Sequence, residues 1–152
     1  MTENITAIAT AEDTAIDFAP VQGYINTCDL DTLDGKMRSA NAINSAVSLN
    51  DHVGEVLRVV DVITMPGIRK GRNGQADTPC QNTYLIDANG VTYFSQSDGV
   101  KRSINTTMSI FKNCDAGKGY LPLACKSDVL PNGNTIKMLV IVDDVDDVDD
   151  AQ

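Results

Sequence analysis

Arg69, Lys70 and Arg72 crowd one twelve-residue stretch, IRKGRNGQADTP, and the rings Tyr84, Tyr93 and Phe94 follow in the hairpin CQNTYLIDANGVTYFSQS. Those two residue types side by side have a definite chemistry. Guanidinium and ammonium groups neutralise phosphates and flat rings stack on bases, so a charged strand is gripped without its base order being read. Each stacked base contributes ~1–3 kcal/mol, so even two rings matter. Lys101, Arg102, Lys126 and Lys137 add charge farther along. Lys101 and Arg102 fall at the start of an expected helix, where cations oppose the helix dipole, so helix formation does not explain them.

Other chemistries lack their residues. The glycines of GRNGQADTP and AGKGY miss the G-x-x-x-x-G-K-[ST] spacing of a phosphate loop, and no nucleophile elbow, H-E-x-x-H or dinucleotide fingerprint occurs. The one histidine, His52, leaves acid–base catalysis without its usual player and reads as a surface or boundary residue. Met37, Met65 and Met108 read as packing or surface residues. Cys28, Cys80, Cys114 and Cys125 form no C-x-x-C pair, so reduced thiols are expected rather than disulfides or zinc ligands. The expectation is a binding protein and not an enzyme, with no cofactor, metal or small-molecule substrate.

The net charge of −9 over 152 residues looks hostile to a polyanion, but it is segregated. Residues 1–52 carry −6, residues 53–142 carry +3, and residues 143–152 carry −6. The electrostatic footprint belongs to the basic middle, not to the average. No run approaches the ~20 apolar residues of a membrane span, so no membrane partner is expected. The first twenty residues have neither the basic start nor the apolar core of an export signal, which points to the cytoplasm.

Four segments must position the candidate residues. Residues 1–28 read as a flexible arm whose scattered apolar residues (Ile5, Ile8, Ile16, Phe18) cannot bury enough surface to offset ordering unaided, though they could dock on a neighbouring copy. Residues 29–52 form a lead-in segment packing on the main domain, with Ala40, Ile43 and Val47 at helical spacing. Residues 53–142 are the domain itself. VGEVLRVVDVITM is too β-branched for a helix, and its charged residues fall three apart, which suits a long strand bent by a bulge and ended by Pro66-Gly67. A long, mobile, positive hairpin loop follows.

CQNTYLID and VTYFSQS are strands joined by DANG, where Gly90 can turn left-handed. Asp98 can cap a helix with an apolar stripe of Ile104, Met108 and Phe111 that ends near Asn113. LPLACKSDVL and IKMLVIV supply two more strands about the turn PNGNT. The expected class is mainly β, a five-stranded OB-fold barrel in the order β-β-β-α-β-β, with residues 143–152 a disordered acidic tail. That tail is a mobile anion able to compete for a basic groove and to dock partner proteins, over a Debye length of ~8 Å.

Under a DANG turn with a glycine bulge, Asp87 faces Val91, Tyr84 faces Phe94, and Leu85 faces Tyr93 on the opposite side. One set is core and the other outward, and polarity does not decide which. The Tyr84–Phe94 pair is the preferred platform, because Asn82, Thr92 and Gln96 share its face.

SLNDHVGEVLRVVDVI, PCQNTYLIDANGVTYFSQSDGVKRSI and LPNGNTIKMLVIV, with LDTLDGKMRSANAINSA upstream, together resemble the small single-stranded DNA-binding proteins of protein-primed tailed phages and Gram-positive conjugative plasmids. The resemblance spans residues 29 to about 142. It implies an OB-fold that coats and protects exposed strands during replication or transfer in a bacterial host cell, with no sequence preference. Arg69, Lys70 and Arg72 match that family's basic loop, and Tyr84, Tyr93 and Phe94 its hairpin rings. The partner implied is single-stranded DNA, with RNA left open. Self-association through the arm is a further expectation. The tail ends in Ala151-Gln152, not in the apolar tip of bacterial coating proteins. The competing reading, motivated by −9, is a protein–protein adaptor or an acidic DNA mimic.

Overall fold

A computed structural model describes residues 25–143. Most of the expected arm, and all but Asp143 of the acidic tail, lie outside the described residues.

Seven strands form one sheet. They are β1 (Ile25–Asn26), β2 (Val47–Ser48), β3 (Val56–Arg69), β4 (Thr78–Asp87), β5 (Thr92–Ser95), β6 (Leu121–Val129) and β7 (Thr135–Ile141), with helices α1 (Leu33–Ser45) and α2 (Asp98–Phe111). The order across the sheet is β2-β5-β4-β3-β6-β7, and β1 pairs β3. Every pairing is antiparallel except that of β2 with β5. The class is mainly β, a sheet curled into a half-barrel. The five long strands follow the expected sequence, with α2 between the third and fourth, and two two-residue strands join them.

The bend in β3 has the expected cause. Its register against β4 slips between Val59 and Asp61, an extra residue that deepens the local twist. Asp87 anchors the bend: its Oδ1 accepts from Arg58 N (2.7 Å) and its Oδ2 from Asn89 N (2.9 Å). Gly90 takes φ 92° in the DANG turn, and the pairs Tyr84↔Phe94 and Leu85↔Tyr93 fall where the turn chemistry sets them.

Four expectations about local structure need correcting. β3 does not stop at Pro66-Gly67 but runs to Arg69, with Pro66 opposite Gln81 and Ile68 opposite Pro79. From Met65 onward β4 is its one partner among the described residues, and such an edge tolerates a residue without an N–H. Ser97, not Asp98, caps α2: its hydroxyl accepts from Val100 N (3.3 Å). The helix ends at Phe111, two residues short of Asn113, with left-handed Lys112 (φ 67°) as its C-cap donating its N–H to Met108 O. Finally, α1 ends at Ser45, so Val47 falls on β2 and not at the end of one helical run with Ala40 and Ile43. The helix buries Gly35, Ser39 and Ala42, with Gly35 backed on the Asp29 carbonyl and Ser39 accepting from Asn26 of β1. Ile43 packs beside them, while Ala40 and Val47 stay exposed.

Two apolar clusters follow. Inside the curl, Leu57, Val62, Leu85, Tyr93, Ile104 and Leu123 pack with α2. Outside it, Ile63, Tyr84 and Ile86 are covered by Ala42 and Ile43 of α1 and by Ala46, its C-cap. The last four residues assigned to the arm, Ile25–Cys28, pack on the sheet, with Ile25 N donating to Thr64 Oγ1 (2.7 Å) and Cys28 buried. All four cysteines are free thiols.

Candidate nucleic-acid interface

Alternation along β4 and β5 decides what the outer face presents. Leu85 and Tyr93 point into the curl; Tyr84, Phe94, Asn82 and Gln96 point out. Near the centre, α1 covers the outer face, so Tyr84 is only 7 % exposed. Phe94 lies one strand farther out and is half-buried, its ring tilted 37° to that of Tyr84 at 5.2 Å. Tyr93 is 6 % exposed, inside, with the edge of His52 against it at 4.8 Å. Burial first, then Asp87 and Glu55, push its phenol up, so it stays a neutral packing ring.

Beyond Phe94 the outer face turns polar. Gln96 Nε2 donates to Asn82 Oδ1 (2.9 Å) and to Ile68 O (3.2 Å), tying β5 to the end of β3. Asn82 lies across Gly67, where any Cβ would sit 2.1 Å from its Oδ1. Arg69 closes the strip. Its Nη2 donates to the Gln96 carbonyl and meets Asp98 Oδ1 at 3.3 Å.

These elements enclose an open groove of about 650 Å³. Phe94 lines it from β5 and Gln96 from just past that strand's end, Arg69 and Arg72 from the β3–β4 ribbon and its loop, Arg102 from α2, and Lys137 from β7. Asn50 from the short 3-10 helix Leu49–His52 and Leu130 and Asn134 from the β6–β7 connection add to the rim. Four cations and one ring thus share the groove, with Asp98 the one carboxylate lining it among the described residues.

The fold brings Lys137 here through a close approach. A Cβ on Gly99 would sit 1.7 Å from Lys137 O, so α2 starts directly on the β7 backbone. One turn on, Ser103 Oγ accepts from Leu139 N (3.1 Å), satisfying an edge donor of the sheet.

The sequence-derived candidates separate accordingly. Arg69, Arg72, Phe94, Arg102 and Lys137 converge on the groove. Lys101 lines a separate recess of about 400 Å³ with Met65, Cys80, Gln81 and Asn105. Lys70 is 86 % exposed and pairs with Asp77 at 3.6 Å. Lys126 stands opposite Met138, one position from the Ser127↔Lys137 pair, so it points to the other side of the β6–β7 ribbon from Lys137. Asn50 and Asn134 were not among the candidates. They reach the groove through chain topology, and nothing local marks them. Among the described residues, no group of three or more His, Cys, Asp or Glu is placed to hold a metal ion, and no helix is long and apolar enough to cross a membrane.

A half-buried ring and four cations lining one groove are the chemistry of a single-strand binder. The model of the Phi29-type phage single-stranded DNA-binding protein family matches residues 21–125, and the chain belongs to that family. It is a binding protein, not an enzyme, that holds single-stranded DNA in phage replication. No curated protein and no solved structure matches the chain.

Proposed function

We propose that the protein is a sequence-tolerant coat whose half-barrel is an OB-fold and whose groove carries the strand. In that fold the face of the second and third strands, with the loops after the first and fourth, takes oligonucleotides. Phe94 on β5, Gln96 just past it, Arg72 on the loop after β3 and Asn134 on the loop after β6 suit those roles. One base stacks on Phe94, and Arg69, Arg72, Arg102 and Lys137 meet phosphates on either side. The observation carrying this reading is the convergence of those four cations and one ring on a single groove.

None of these contacts reads base identity or a 2′-hydroxyl, so DNA of any sequence is held and RNA competes. Tyr84 contributes by backing Phe94 and Tyr93 by packing behind the sheet, while Lys70, Lys101 and Lys126 add to the field around the strand. The place of action is the cytoplasm of a bacterial host, wherever replication or transfer exposes strands. The part of the arm ahead of Ile25 links neighbouring copies, and the acidic tail competes for the groove when it is empty.

The test is a salt-titrated affinity for oligo(dT), mixed-sequence DNA and RNA. Replacing Arg72, Arg102 and Lys137 together with Gln should weaken all three ligands alike. It should also flatten the slope of log K against log salt by about 2, from ~0.7 per phosphate neutralised. Weakening for one sequence only, or an unchanged slope, would overturn the reading.

A further inference from the structure

We infer that Asp98 sets the affinity of the groove by competing, as a built-in anion, with strand phosphates for Arg69. The inference rests on the groove proposed above. Asp98 is 64 % exposed, and it is the carboxylate that intrudes among Arg69, Arg72, Arg102 and Lys137. Its position is not explained by helix capping, because Ser97 already accepts from Val100 N. A first-turn acid helps the helix dipole, but that effect does not require a guanidinium partner. Asp98 nonetheless has one, with its Oδ1 3.3 Å from Arg69 Nη2.

Arg69 is held twice, and the two holds differ in kind. The Gln96 carbonyl, part of the backbone, fixes the guanidinium beside the ring-bearing strand. Gln96 in turn grips the ribbon through Ile68 O. Asp98 supplies only an exposed ion pair, which is weak and exchangeable. An incoming phosphate can therefore displace the carboxylate while the backbone contact keeps Arg69 in place. Each bound phosphate at that position costs one internal ion pair, which lowers affinity and the salt dependence together. A coat that must be stripped ahead of a copying enzyme gains from such an internal rival.

The experiment uses the full chain in four forms, wild type, D98N, R69Q and D98N/R69Q, titrated with fluorescent oligo(dT) from low to moderate salt. D98N should bind about two- to fivefold tighter at low salt, the range an exposed ion pair spans. Its salt slope should steepen by about 0.7, one further phosphate. R69Q should cost more in the D98N background than in the wild type, the double-mutant signature of a competitor. D34N makes the same charge change in the first turn of α1, away from the groove, and should leave affinity unchanged. D98S repeats the test should D98N fail to fold. The inference is overturned if D98N and D98S bind no tighter than wild type, or if R69Q costs the same in both backgrounds. R102Q and K137Q keep the two readings apart. Weaker binding in these with no gain in D98N rejects only the competitor, whereas unchanged binding in both rejects the groove.

Discussion

Phe94 and Tyr84 face each other across the β4–β5 ladder with ring centroids 5.2 Å apart, yet one lines the groove and the other lies under α1. The same cross-strand pair thus holds a contact ring and the ring that supports it. Phe94→Ala should lower oligonucleotide affinity by ~1–3 kcal/mol, the loss of one stacked base. Tyr84→Ala should instead lower folding stability by ~3–5 kcal/mol, as large core truncations do. Tyr84→Phe should leave both nearly unchanged. Urea melts beside anisotropy titrations separate these effects. An affinity loss for Tyr84→Phe equal to that for Phe94→Ala would put Tyr84 against the strand.

Lys126 and Lys137 lie on adjacent strands but on opposite sides of the β6–β7 ribbon. Lys137→Gln should weaken binding to every sequence and reduce the salt slope by about 0.7. Lys126→Gln changes net charge equally but removes a cation outside the groove, so the slope should hold. Equal slope changes in the two variants would mean that the field of the whole domain, and not the groove, governs binding.

Where the sequence was legible, local chemistry was strong. The DANG turn fixes the register of Tyr84 against Phe94, and the β-branched run with its offset charges marks the bulged strand. The 104–108–111 stripe finds α2. Failures came where long-range packing decides. α1 buries Gly35, Ser39 and Ala42, because Gly35 lies against the Asp29 carbonyl and Ser39 against Asn26, close approaches that select small residues and that no hydrophobic stripe reveals. Pro66 stays within β3 where, among the described residues, that stretch of the strand pairs β4 alone, a property of the sheet. Which ring faces outward was undecidable locally, since α1, some forty residues upstream, covers Tyr84 and leaves Phe94 half open. Six of the seven lysines and arginines proposed cluster around the ribbon and the helix start or β7, but only the topology shows that four share one groove.

Gly99 should be intolerant of substitution. Within a helix, Gly→Ala ordinarily gains about 1 kcal/mol. Here the new methyl would lie 1.7 Å from Lys137 O and 3.2 Å from Ile136 Cγ1, and a backbone carbonyl cannot step aside as a side-chain tip can. Overpacking of that kind costs ~1–3 kcal/mol, so the net effect should be a loss of stability. Because α2 and β7 carry Arg102 and Lys137, affinity should fall with it. A stabilised Gly99→Ala variant in a urea melt would contradict the α2–β7 contact.

The buried thiols should make stability fall in mild alkali. Burial pushes the Cys114 thiol up to about 12; a hydrogen bond with Thr27 opposes this, and Asp61 and Cys28 reinforce it. Burial also raises Cys125, against the pull of Lys137. An unfolded thiol titrates near ~8.5, so above that pH the unfolded chain releases protons that the folded chain retains. The stability contributed is therefore complete below about pH 8.5 and is lost progressively toward the folded value. Urea midpoints measured between about pH 7.5 and 10 should decline, and Cys114→Ala should decline less steeply. Thiol reagents at mildly alkaline pH should label half-exposed Cys80 ahead of buried Cys28, Cys114 and Cys125. An equally steep decline in Cys114→Ala would assign the alkaline loss to other groups.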